Sequence, residues 1–108
     1  MGVSKKHLHS IEANEVAAIA KVLAHPARVA ILQYISKQKD CICTDIADEV
    51  GLSQPTVSQH LKVIKDAGLL RGNAKGKSLC YCLDAQHLDK LYTVIEEFFK
   101  QTKKNCCV

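Results

Sequence analysis

Six cysteines in a chain of 108 residues fall into three close pairs, Cys41-Ile42-Cys43, Cys80-Tyr81-Cys82 and Cys106-Cys107. What such pairs can do depends on the redox setting. No apolar signal-peptide core follows Met1–His7, and no stretch is long and apolar enough to span a bilayer. A cytoplasmic location with no membrane partner is therefore expected. In that reducing setting thiols bind metals or react rather than staple a fold.

The second group that could do chemistry is basic. Fifteen Lys and Arg against eleven Asp and Glu leave a net charge of +4. Five of the cations, Lys62, Lys65, Arg71, Lys75 and Lys77, crowd into sixteen residues opposed only by Asp66. A basic stretch of this kind suits phosphate. Aromatic residues make up only 5% of the chain and do not interleave with the cations, which argues against a platform for stacking single strands. Duplex DNA is the expected partner.

These residues must be positioned by helices and one hairpin. Apolar residues recur at helical spacing at Val16, Ile19, Ala20 and Leu23, predicting a first helix over Ile11–Leu23. Pro26 opens a second, over 27–36, with Val29, Leu32 and Ile35 inward. Residues 44–50 read as a short helix with Ile46, Ala47 and Val50 inward, ended by Gly51. Ser53 as N-cap and Pro55 in the first turn restart the chain as a helix. Its inner stripe is Val57, Leu61 and Ile64, it stops at Gly68, and Ser58, Gln59 and Lys62 lie on the outer side. A short helix, a tight turn and a second helix with a polar outer face form a helix-turn-helix pattern.

Leu69-Leu70 can begin a strand, Gly72 to Lys77 reads as the turn, and Ser78 to Leu83 alternates. This is a basic wing, with Leu79, Tyr81 and Leu83 on one face and Ser78, Cys80 and Cys82 on the outer one. Leu88, Leu91, Ile95 and Phe98-Phe99 mark a last amphipathic helix over about 85–101. The apolar stripes of the first and last helices exceed what so small a core needs. The fold class expected is mainly α with a small β-hairpin, a winged helix-turn-helix dimerised through its terminal helices. Residues 1–10 read as a flexible tail, 11–101 as one DNA-binding and dimerisation domain, and 102–108 as a cysteine-containing tail.

Four stretches, Leu23-Ala24-His25-Pro26-Ala27-Arg28, Cys41-Ile42-Cys43, the run from Leu52 to Lys62 with its Ser53-Gln54-Pro55-Thr56-Val57-Ser58-Gln59-His60 centre, and Ala67-Gly68-Leu69-Leu70, together resemble the ArsR/SmtB family of bacterial metal-sensing repressors. The likeness spans about residues 12–100, and its Cys-x-Cys is similar to the arsenic-responsive branch. It implies a homodimer that sits on operator DNA, an imperfect inverted repeat, and leaves when an inducer binds. Gln54, Thr56, Ser58 and Gln59 would then face the major groove, with Ser53, Lys62 and the wing residues Lys75 and Lys77 completing the DNA-binding set.

Cys41 and Cys43 are the centre of the ligand reading. Trivalent arsenic or antimony is soft and prefers thiolate sulfur. Both cysteines fall at or just before a predicted helix N-terminus. On an ideal helix, residues two apart point about 200° from one another. One ion can therefore bridge them only where the first turn is non-helical or distorted. The arsenic branch carries a third cysteine three residues after the second, and this chain has Ile46 there. The third thiolate must come from elsewhere, with Cys106 and Cys107 the candidates, or the inducer is an organoarsenical that needs only two. Cys80 and Cys82 are a rival pair, since residues two apart on a strand share a face and could hold one ion. They have no helix terminus to acidify them, and the resemblance does not point there. A helix ending near Gln101 leaves Thr102 to Asn105 as a tether of roughly 14 Å. Zinc fits poorly, because Asp84 and His87 are one residue too far apart for the family's Asp-x-His pair. His7 and His9 lie in the amino-terminal tail, His60 is expected to pack or to contact phosphate, and His25 to be structural. Two alternatives stand beside the metal reading. One is a thiol-redox or persulfide sensor of the same fold that pairs Cys41 with Cys107. The other, a dithiol enzyme, lacks Cys-x-x-Cys, a cofactor loop and a base near a nucleophile, and no enzymatic activity is expected.

Overall fold

The computed structural model describes residues 9–38, 41, 46–75 and 78–104. Along the chain run α1 (Ile11–Val22), α2 (Pro26–Ser36), α3 (Ile46–Val50), α4 (Gln54–Asp66), β1 (Leu70–Lys75), β2 (Ser78–Leu83) and α5 (Ala85–Lys103). The mainly helical chain with one antiparallel hairpin is thus present. Among the described residues, no helix is long and apolar enough to cross a membrane.

Four of the helices, α1, α2, α4 and α5, begin where a side chain or a proline suits the first turn. The Ser10 hydroxyl accepts from the Ala13 amide at 3.0 Å and starts α1. Pro26 stands in the first turn of α2, where its missing N–H costs nothing. The Asp84 carboxylate accepts from the His87 amide at 3.1 Å and starts α5. Two expected stripes are displaced. In α1 the buried residues are Ile19 and Val22, while Leu23, already the C-cap, is 43% exposed. In α2 the centre of the inner face is Ile31, fully buried, with Ile35, while Val29 and Leu32 are half-buried. The reason is that α2 packs against α3, α4 and β2 at once, so its apolar face is wider than a single stripe.

Two glycines set the angles of the helix-turn-helix and of the wing. Gly51 has φ +74° and closes α3, with its own amide and that of Leu52 both donating to the Ala47 carbonyl at 2.9 and 3.1 Å. Gly68 has φ +92° just past the end of α4. There the Gly68 amide donates to the Lys65 carbonyl at 2.9 Å and the Leu69 amide to the Ile64 carbonyl at 3.2 Å, the paired bonds of a Schellman stop. Leu69 and Ile64, which this stop brings together, are both core residues.

The paired part of the hairpin is longer than the sequence suggests. Leu70 pairs with Leu83, Gly72 with Tyr81 and Lys75 with Ser78, so Gly72 to Lys75 belong to the strand and not to the turn. Two glycines in six residues read as a loop, but cross-strand pairing with the alternating second strand extends the ladder through Gly72 as far as Lys75. The last helix also overruns its expected end at Gln101 and continues to Lys103.

Replacing Gly68 by alanine should cost about 1–2 kcal/mol for the left-handed backbone alone. The loss should be larger still, because a Cβ there would overlap the His87 imidazole. Gly51 faces open space, so Gly51→Ala should lose only the backbone part. Urea unfolding of the two variants measures the difference.

Candidate nucleic-acid interface and thiol cluster

The outer face of α4 is defined by what its inner face buries. Val57, Leu61 and Ile64 are sealed in the core together with Ile31, Ile35 and Leu70. Gln54, Ser58, Gln59 and Lys62 are thereby left in solvent. Ser53 is the N-cap in backbone terms, but its hydroxyl donates to the Thr56 hydroxyl at 2.8 Å and caps no amide. Thr56 is half-buried. The Lys62 ammonium lies 3.2 Å from the Asp66 carboxylate, with both side chains well exposed. An ion pair so placed is worth little, so Lys62 can exchange Asp66 for a phosphate at small cost. Arg71 is exposed on β1 and Lys75 ends that strand, while Lys77 lies outside the described residues.

Behind this face, Arg28 ties three helices together. Its Nε donates to Nδ1 of His60 on α4 at 3.2 Å, and its Nη1 reaches the Lys21 and Val22 carbonyls at the end of α1 at 3.3 and 3.4 Å. The His25 ring lies 5.8 Å from that of His60. Burial, then the Arg28 charge, then His25 hold the His60 imidazole below its ordinary 6.5. His60 is thus a packed acceptor. Nothing in the periodicity singles out Arg28, and its role appears only when α1, α2 and α4 are brought together.

The thiols are arranged differently from expectation. Cys41 is half-buried and lies outside any helix, five residues before α3 begins at Ile46. It is joined by a disulfide to Cys82, 41 residues away, with the two Cα atoms 4.5 Å apart. Cys80, two residues before Cys82 on β2, is completely buried and is also disulfide-bonded. The expected outer face of the wing is therefore not a solvent face. Tyr81 and Leu83 of β2 pack on the core from one side, and Cys41, ahead of α3, meets the cysteine side. Since Cys41 stands outside a helical turn, the opposed directions expected of a helical Cys-x-Cys do not govern it. Cys43, Cys106 and Cys107 lie outside the described residues. With α5 reaching Lys103, only Lys104 and Asn105 precede Cys106, and the tether shrinks to roughly 7 Å.

A short helix, a glycine turn and a second helix with a polar outer face, followed by a two-stranded wing, define a winged helix-turn-helix regulator of transcription. Residues 25–71, from the start of α2 into β1, match the family described as bacterial regulatory protein, arsR family. The chain belongs to that family. It is 33% identical over 89 residues to a cadmium resistance transcriptional regulatory protein, a CadC homolog of Staphylococcus aureus, covering 82% of this chain and 73% of that one. To the arsenical resistance operon repressor of Staphylococcus xylosus it is 36% identical, over 69% of this chain and 71% of the relative. The match to the transcriptional repressor SmtB of Mycobacterium tuberculosis, 36% identical over 65% of this chain, spans about half of that protein's length (51%). Among solved structures, a possible transcriptional regulator for arsenical resistance is 29% identical, with a TM-score of 0.63 over 73% of this chain and 81% of that one. An ArsR-like regulator from a Rhodococcus species shares the fold at a TM-score of 0.70, over 85% of this chain and 86% of that one, with 18% identity.

A depressed His60 pKa has a definite sign. The unfolded chain binds the proton more readily, so the stabilisation is complete above 6.5 and is lost as pH falls through the lower folded value. Urea stability should decline as pH is lowered from neutrality into the acid range, and His60→Asn should flatten that part of the profile.

Proposed function

We propose that this protein is a transcriptional repressor that binds double-stranded operator DNA as a homodimer on an imperfect inverted repeat. Release follows when a soft thiophile, trivalent arsenic or antimony or an organoarsenical, binds cysteine thiolates that include Cys41 and Cys43. The observation that carries the DNA half is the burial of Val57, Leu61 and Ile64, which leaves Gln54, Ser58 and Gln59 as one exposed polar face. In this reading those residues and Thr56 meet base edges, and Ser53, Lys62, Lys75 and Lys77 meet phosphates. Dimerisation through the terminal helices is supported by α5, which buries no residue within one chain, and by Ile11, Tyr92, Phe98 and Phe99, all exposed. A cytoplasmic site of action follows from the DNA partner.

The ligand half is supported by Cys41 and by the names of the relatives, one tied to cadmium and another to arsenicals. Both are thiophiles, as the softness of the ligands requires. A second reading, thiol-redox sensing, is favoured by the Cys41–Cys82 disulfide. In that reading the sulfur partner is Cys82 and not the expected Cys107.

Two measurements test the proposal on duplexes selected from a random pool. Affinity should fall steeply with salt. Lys77→Ala should weaken all sequences alike and reduce the salt slope by about one counterion. Gln59→Ala should change base preference instead. Cys41→Ser should keep DNA affinity and lose release by arsenite, since a hydroxyl is too hard a donor to replace thiolate. If arsenite, antimonite and cadmium leave the unmodified complex intact while a persulfide donor or peroxide releases it, the redox reading is the correct one.

A further inference from the structure

A pyramidal trivalent ion needs three thiolates, and Cys41 ahead of α3 is one of them. The wing supplies what is missing. Cys82 lies in sulfur contact with Cys41. Cys80 is two residues from Cys82 on one strand, so the two side chains share a face. That face is closed to solvent at Cys80, which is 0% exposed, and half-open at Cys82 and Cys41. Arg71 pairs with Cys82 across the hairpin and so lies on the same face, where its charge offsets part of the negative charge that three thiolates bring. Among the described residues no group of three His, Cys, Asp or Glu side chains is placed to hold a metal ion in this structure, in which Cys41, Cys80 and Cys82 are all disulfide-bonded.

We infer that in the reduced protein Cys41, Cys80 and Cys82 form a single three-thiolate site for a pyramidal trivalent ion, bridging the chain ahead of α3 to strand β2 of the wing. This rests on the thiophile-responsive reading above, keeps its Cys41 and takes the two wing cysteines in place of Cys43. The chemistry is ligand exchange without change of oxidation state. Three cysteine thiols react with arsenous acid, three As–S bonds replace three As–O bonds, and three waters leave, each taking one thiol proton. The disulfides that hold Cys41, Cys82 and Cys80 must first be opened by a reductant such as a trialkylphosphine. Each bond takes two electrons from one phosphine, which departs as its oxide with the oxygen of a water, leaving two thiols. The wing then has two arrangements relative to α4, one free and one tied to Cys41 through the ion. An ion that binds the tied arrangement more tightly shifts the wing towards it and removes the freedom of the wing relative to the recognition helix.

The full-length protein, reduced with a phosphine so that no competing dithiol is present, is titrated with arsenite and then pulse-labelled with N-ethylmaleimide. Labelling is read cysteine by cysteine by mass spectrometry. Cys82 should become protected together with Cys41 at one equivalent per chain, and Cys106 and Cys107 should label at unchanged rates. Arsenic X-ray absorption should count three sulfur neighbours in the unmodified protein and in Cys106→Ser/Cys107→Ser. It should count two sulfurs and one oxygen in Cys82→Ser. Labelling of the unmutated chain needs no variant to fold, so it decides the question alone. Protection of Cys41 with Cys82 labelled at its arsenite-free rate would remove the wing from the site while sparing the thiophile reading. If neither arsenite nor antimonite protects any cysteine, the thiophile reading itself fails.

Discussion

The interface presented to DNA depends on one packing constraint. Three residues of α4, Val57, Leu61 and Ile64, must be under the surface at the same time, and a rigid helix offers one rotation that achieves this. The rotation fixes which side chains stand outside, so Gln54, Ser58 and Gln59 are positioned by apolar residues they never touch. Both ends of the helix are held as firmly. Gly51 turns the chain into it, and Gly68 sends the chain away into the wing. Arg28 adds a polar tie from behind, joining the recognition helix to the end of α1 through His60. That tie needs a neutral imidazole acceptor, which the lowered His60 pKa favours.

Much of this is local in origin and therefore legible in the sequence. The stripe of α4, its glycine stops, the proline that opens α2 and the alternation of β2 are all written within a turn or two of chain. What escapes a linear reading is what distant segments do to one another. Ile31 becomes the centre of α2 only because three elements surround that helix. Gly72 to Lys75 look like a loop until the register with β2 draws them into a ladder. Cys41 and Cys82 are 41 residues apart, and no spacing rule joins them. The cysteines of the wing read as solvent-facing because period-two alternation says which residues share a face, not whether a second layer covers it.

Thiol placement also changes how a ligand signal could travel. A site confined to a short helix would act by distorting that helix. A sulfur link between the chain before α3 and β2 spans the helix-turn-helix from one side to the other, enclosing α3, α4 and β1 in one loop of chain. The recognition helix then sits inside a loop of chain that the Cys41–Cys82 bond closes.

The last helix is nineteen residues long, yet its support within the chain comes early. Leu88 and Leu91 pack against the core, Val94 and Ile95 are half-covered, and Phe98 and Phe99 face outward. Local stability must therefore decline along α5 in the direction of its carboxyl end, because a helix held at one end frays from the other. In an isolated chain, amide protons near Leu91 would exchange slowly and those beyond Phe98 rapidly. A second subunit closing over the aromatic pair would remove that gradient, so the far end of α5 reports on assembly from a place remote from both the DNA face and the thiols.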